Sequence, residues 1–267
     1  MKAVTLCADD YAMCPEVSSA ILDLGEKQRL HATSCLVTSR DWNVHAHWLQ
    51  ASKAPMDIGL HLNFTEGPGL SPAFKKGLPG LKKMLLLSHL RALDYNQIKA
   101  EITAQYLAFC DVFGRQPDFI DGHQHVHHLP VVRKALLFVI QEQAPAESFW
   151  VRSVSPMMGG NGIKSLVISG SGAIPLRKAL KSSEITTNSA FAGVYSLEPD
   201  QPFPELMRSW LKSLPDRGLI MCHPAQSLSS AAELDHAEAR LLEYEYLASD
   251  RFEKDCEKAG VTLRTLT

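Results

Sequence analysis

The chain is 267 residues long, with 45% hydrophobic and 21% charged residues. That length and balance suit a globular protein with a substantial buried core, of the size at which single α/β barrels occur. A formal net charge of −2 argues against a nucleic-acid partner held by phosphate neutralisation, and it excludes nothing about small substrates.

In chain order, short apolar runs alternate with helical patterns. "AVTLCADD" (3–10) predicts a buried strand, and "PEVSSAILDLGEKQ" (15–28) a helix, with Val17, Ile21 and Leu24 at helical spacing and Pro15 in its first turn. "ATSCLVTS" (32–39) is a second strand, followed by a helix through Trp48 and Leu49, and "DIGLHLNF" (57–64) is a third. Asp94 and Gln97 are placed as a capping box for a helix that carries Ile98, Ile102, Phe109 and Val112 on one face and stops at Gly114. Strand "FIDGHQH" (119–125), helix "PVVRKALLFVIQEQ" (130–143) and strand "FWVRSV" (149–154) follow. Next come a strand near "TTNSAFAG", a helix from Phe203 to Leu214, and strand "GLIMCHPA" (218–225). A helical segment after Ala231 and a short strand in "GVTLRTL" end the pattern.

Strands alternating with helices imply a parallel sheet covered by helices. Polar residues gather where the strands end: "DD", a His, "DGHQH", an Arg and "CHP". In a (β/α) barrel the loops at that face build the active site, whereas an open sheet collects ligand groups only near its switch point. Five such ends spread along the chain predict one TIM-like (β/α) barrel domain over residues 1–267, distorted or seven-stranded in place of the regular eight.

Two stretches break the rhythm. Residues 68–93 form a long, basic, Pro/Gly-punctuated insertion, expected as packed scaffold, with a flap over the site or a homodimer contact as alternatives. Residues 157–175 are Gly-rich without phosphate-loop or dinucleotide spacing, and a loop is expected there. The first residues lack the apolar core and cleavage site of a signal peptide, and no stretch approaches the roughly 18 apolar residues of a membrane span. Six scattered cysteines without a C-x-x-C pair fit reduced thiols, so a cytoplasmic protein with neither membrane nor nucleic-acid partner is expected.

The chemistry-bearing residues sit at the strand ends. Asp9 and Asp10 are adjacent, and strand alternation aims them apart, so one can ligate a cation while the other holds a water; the bland alternative is a helix-capping acid beside an exposed one. His61 alone reads as structural, but it has company in "DGHQHVHH" (121–128). Two histidines plus a carboxylate is a familiar set for a catalytic divalent metal with open positions. An N-terminal Asp, His61 and one of His123 or His125 would complete it, while His127 and His128 are expected in a solvated loop. His223 suits a general acid, since imidazole titrates near neutrality. Cys222 beside it reads as a buried structural thiol. Arg152 can orient a carboxylate or stabilise an oxyanion, with a structural salt bridge as the alternative.

Taken together, "ADDYA", "GLHLNFTEG", "FGRQPDFIDGHQHVHHLP" and "MCHPA", in this order, resemble the YdjC-like carbohydrate deacetylases, which include the chitooligosaccharide deacetylases. The resemblance runs from about residue 3 to 225. It implies a barrel related to polysaccharide deacetylases, one divalent metal (Mg²⁺ or Zn²⁺), and removal of an acetyl group from an N-acetylated mono- or oligosaccharide. Matched residue by residue, the metal ligands fall on Asp10, His61 and His123, the base on Asp9, and the acid position on His223. Tyr11-Ala12 stands where the family usually has Phe-Gly, and Gly122 where Ser is common after the Asp. The rival expectations are the same metal acting on another bond, such as a phosphoester, and a non-catalytic sugar-binding protein.

Overall fold

The computed structural model describes residues 1–143, 145–159, 168–227 and 234–267. The longest strand, β1 (Lys2–Tyr11), lies within a parallel sheet that also contains β2 (Ala32–Cys35), β3 (Asp57–Leu62), β4 (Phe119–Gly122), β5 (Trp150–Val151), β6 (Phe191–Ala192) and β7 (Gly218–Cys222). The order is β5-β4-β3-β2-β1-β7-β6, and β8 (Val261–Leu263) pairs with the first residues of β1. Strands covered on both faces need near-continuous apolar sequence, which is what "AVTLCA" and "GLIMC" supply.

The sheet curls until its ends meet, which makes it a distorted (β/α) barrel with seven strands around the ring. Isolated bridges run from Trp150 of β5 to Thr186, ahead of β6, and from Met157, beyond β5, to Phe191 of β6, where a regular ladder would join the two strands. The reason is local. Between the bridges the Asn188 side chain takes the place of a neighbouring strand, accepting from the Ser153 N–H and donating to the Ser153 carbonyl, each at 2.8 Å. The strands foreseen at 149–154 and near 186–193 therefore shrink to two residues each.

Helices clothe the outside. The first is α1 (Pro15–Glu26), followed by α2 (Trp42–Ala51), α3 (Leu81–His89), α4 (Tyr95–Phe113) and α5 (Pro130–Gln143). After them come α6 (Ile174–Ser182), α7 (Phe203–Ser213), α8 (Ala237–Ala248) and α9 (Asp250–Lys258). Asp94 caps α4 by accepting from the Asn96 and Gln97 N–H groups, and Gly114 closes it in the left-handed conformation at φ 65. Among the described residues, no helix is long and apolar enough to cross a membrane.

One loop expectation needs correction. In the Gly-rich stretch, residues 160–167 lie outside the described residues, but Ser169–Ala173 form a π turn that runs directly into α6. The insertion at 68–93 contains α3, and its first part is tied down where the Glu101 carboxylate of α4 accepts from the Leu70 and Ser71 N–H groups at 2.9 and 2.7 Å.

Candidate active site

The two adjacent acids are separated by a bend in β1. Its register against β2 slips between Ala8 and Tyr11, and Asp10 and Ala12 both take left-handed backbone angles, φ 68 and 73. Such angles cost an L-residue roughly 1–2 kcal/mol, so the surroundings must hold them; here the Ala12 N–H donates to Ser18 Oγ at 3.0 Å. With this bend Asp9 turns toward Arg152 and Asp10 toward two histidines.

Asp10, His61 and His123 come together, all buried, with one potential ligand atom from each lying within 4.8 Å of the others. Asp10 Oδ1 is 2.9 Å from His123 Nδ1 and 3.4 Å from His61 Nε2. Where metal–ligand bonds measure about 2.0–2.2 Å, neighbouring ligand atoms stand about 3 Å apart, so the donor set fits a cation. The far nitrogens are also occupied: His61 Nδ1 contacts Asp121 Oδ1 at 2.6 Å and Ser34 Oγ at 2.9 Å. Such outer carboxylates orient metal-binding imidazoles. Parallel pairing of β3 with β4 sets this up, since it puts His61 directly opposite Asp121.

Electrostatically the cluster calls for positive charge. Burial pushes His61 down, yet the Asp121 and Asp9 carboxylates overcome it and raise the group to about 10. His123 follows the same pattern, with burial outweighed by Asp10, and reaches about 9. For Asp10, burial is likewise outweighed, by His123 and Arg240, and the carboxyl is held well below its usual range. Asp9 is different: burial raises it, against the opposing pull of Arg152.

Arg152 is fully buried beneath this cluster. Its Nη1 donates to Asp9 Oδ2 at 2.7 Å, and Nη2 reaches Asp9 Oδ1 at 2.5 Å and Asp121 Oδ2 at 2.6 Å. Cys222 is a buried free thiol. His223, at the end of β7, lines the pocket and is partly exposed, and its backbone N–H donates to Glu243 Oε2 at 2.5 Å.

In the histidine-rich segment, β4 ends at Gly122 and His123–His128 form a tight 3₁₀-type turn with left-handed angles at Gln124 and His125. His125 faces the pocket apart from the Asp10 cluster. The solvated loop expected for His127 and His128 is wrong: both are buried. His127 Nε2 lies 3.1 Å from the Arg152 carbonyl and His128 Nε2 2.7 Å from Ser171 Oγ. A side chain at Gly122 would crowd His127, whose backbone nitrogen stands 3.0 Å from the Cβ position.

Four residues escaped the sequence reading. Arg240 donates from Nη2 to Asp10 Oδ2 at 2.7 Å, and Glu66 Oε1 lies 3.0 Å from His123 Nε2. Glu243 accepts from Tyr195 Oη at 2.6 Å. One signal was available: Arg240 and Glu243 occupy buried positions on α8 in register with Ala239, Tyr246 and Leu247, so two charges interrupt an apolar stripe.

The cluster lies in a cavity of about 710 Å³, within the common range for small-molecule sites. Its walls include Leu81 and Leu85 of the insertion, together with Leu129, Val194 and Met221.

The sequence profile described as YdjC-like protein matches residues 3–258. Proteins named chitooligosaccharide deacetylase from Yersinia pestis (strain Pestoides F) and Yersinia pseudotuberculosis (serotype O:1b, strain IP 31758) are each 33% identical over 134 residues, 49% of this chain and 53% of theirs. The chain thus spans about half the length of the curated relatives it matches. A crystal structure from Enterococcus faecalis V583, of a protein named for a proposed cellobiose-phosphate cleavage, superposes with a TM-score of 0.76 at 19% identity, covering 99% of this chain and 97% of that one. At that identity the likeness concerns the fold.

Proposed function

The chain belongs to the YdjC-like protein family, and from that premise we propose that it is a metal-dependent carbohydrate deacetylase, removing the acetyl group from an N-acetylated mono- or oligosaccharide. The observation that carries the proposal is the meeting of Asp10, His61 and His123, from three distant strand ends, on the floor of one cavity. The names of the Yersinia relatives support the substrate class.

In this reading Asp10 Oδ1, His61 Nε2 and His123 Nδ1 hold one divalent cation, and two imidazoles among three ligands favour an ion such as Zn²⁺ over Mg²⁺. When bound, the ion lowers the pKa of water and polarises the acetyl carbonyl. Asp9 takes the proton of the attacking water, and burial, which raises its proton affinity against the pull of Arg152, suits it to that role. Arg152 holds that carboxylate in place through its two-pronged contact and lies below the cavity floor, so orienting Asp9 is its part in catalysis. As the tetrahedral centre collapses, the C–N bond breaks, its electron pair goes to nitrogen, and His223 supplies the proton that releases the sugar amine. The six cysteines are free thiols, which supports the cytoplasmic address within the same proposal.

The test is acetate release from N-acetylglucosamine and its β-1,4 dimer by chelator-stripped protein, before and after Zn²⁺ or Mg²⁺ is added, with phosphate release from sugar phosphates assayed in parallel. Metal-restored acetate release is expected. Phosphate release without acetate, or sugar binding without turnover, would overturn the proposal.

A further inference from the structure

We infer that Glu66 is a positioning residue for His123: its carboxylate accepts the imidazole Nε2–H and thereby leaves Nδ1 as the atom offered to a cation. The inference rests on the metal-dependent reading above. A neutral imidazole carries one N–H and one lone pair, and whichever nitrogen donates its proton to a partner leaves the other free to coordinate. His123 stands between two carboxylates, with Asp10 Oδ1 2.9 Å from Nδ1 and Glu66 Oε1 3.0 Å from Nε2. His61 shows the same arrangement with its nitrogens exchanged, Asp121 on Nδ1 and Asp10 beside Nε2. Both histidines therefore turn one nitrogen to Asp10 Oδ1 and the other to an outer carboxylate.

The position of Glu66 is built rather than incidental. It lies 57 residues from His123 in sequence, on the loop that leaves β3. One side chain shapes that loop: Asn63 Oδ1 accepts from the Thr65 and Glu66 N–H groups at 3.0 and 3.1 Å, and its Nδ2 donates to the Glu66 carbonyl at 2.8 Å. Asn63 is in turn fixed by Gln105 of α4, through its N–H at 2.9 Å and its carbonyl at 2.7 Å. From the other side, Gln124 Nε2 donates to the same Glu66 oxygen at 3.1 Å. That contact ties down the residue after His123, whose own backbone is left-handed at φ 51.

Outer partners of metal-bound histidines typically change metal affinity about 10–100-fold when removed. Glu66 is half exposed where Asp121 is buried, which places its effect at the lower end of that range. The experiment is Zn²⁺ titration of chelator-stripped wild-type, Glu66→Ala and Glu66→Gln proteins by calorimetry, with thermal melts and deacetylation at saturating Zn²⁺ alongside. Glu66→Ala is expected to weaken Zn²⁺ binding about tenfold with an unchanged metal-free melt. Glu66→Gln, which keeps an oxygen acceptor, should fall between it and wild type, and excess Zn²⁺ should restore kcat. Equal Zn²⁺ affinity in wild type and Glu66→Ala, or a kcat loss that excess Zn²⁺ leaves in place, overturns the inference alone. A wild-type protein that takes up no Zn²⁺ or other divalent ion overturns the inference together with the proposed function.

Discussion

Arg240, on a helix late in the chain, donates from Nη2 to Asp10 Oδ2 at 2.7 Å, while Oδ1 of the same carboxylate faces His61 and His123. One oxygen is thus committed to the guanidinium and the other left to the cluster. Both partners are buried, and removing one member of a buried ion pair strands the other charge, at about 3–5 kcal/mol. Arg240→Met should therefore lower the urea-unfolding free energy of metal-free protein by about 3 kcal/mol. Zn²⁺ should recover part of that loss, because a cation supplies the charge that Asp10 then lacks. Equal stability of variant and wild type without metal would show that Asp10 is satisfied by its histidines alone.

Two bonds from Arg152 hold Asp9, the residue proposed as the base. Asp9→Asn keeps the shape and one oxygen acceptor but removes proton affinity. Deacetylation should lose about 10²–10⁴ in kcat, the usual worth of a positioned acid or base, while KM for the sugar moves little. A variant within tenfold of wild type would reassign the base.

His223 is separable from Asp9 by the leaving group. Expelling a sugar amine requires a proton, whereas expelling a nitrophenolate does not. His223→Asn should lower kcat for an N-acetylated sugar about 10²–10⁴-fold and leave 4-nitrophenyl acetate hydrolysis nearly unchanged, measured on the same preparation. Equal losses on both substrates would mean that His223 acts before C–N cleavage.

Much of this site was legible because apolar strands running into polar ends carry a strong local signal. That signal narrowed the set to one of two N-terminal acids, His61, and either His123 or His125; the family resemblance then singled out Asp10 and His123, which the fold brings together with His61. The barrel's parallel order followed from alternation, though its weak closure did not, since an asparagine side chain standing in for a strand has no sequence period. Glu66 was illegible for a related reason, since it reaches the cluster from a loop whose local pattern concerns other neighbours; Arg240 left one trace, a charge inside the apolar stripe of its helix. The error at His127 and His128 is instructive. Imidazole-rich sequence looks solvated, but Gly122 leaves room for His127 to pack close, and a main-chain carbonyl and Ser171 satisfy the two rings.

Glu243 makes stability depend on pH in a direction opposite to that of most paired carboxylates. Burial raises it from an ordinary 4.5 to about 7, outweighing the bonds from Tyr195 and the His223 N–H. A carboxyl raised on folding is protonated in the native state while the unfolded chain has already released its proton. The native state thus binds more protons between the two values, and stability falls as pH rises. Its contribution is fully present below about 4.5 and is lost as pH rises through about 7, on the order of 3 kcal/mol in all. Glutamine copies the protonated form, since its oxygen can accept from the His223 N–H while its amide donates to Tyr195 Oη. Glu243→Gln should therefore match wild type near pH 5 and exceed it above pH 8, as read from urea unfolding across that range. A wild-type curve parallel to that of the variant would mean that Glu243 is ionised in the folded protein throughout.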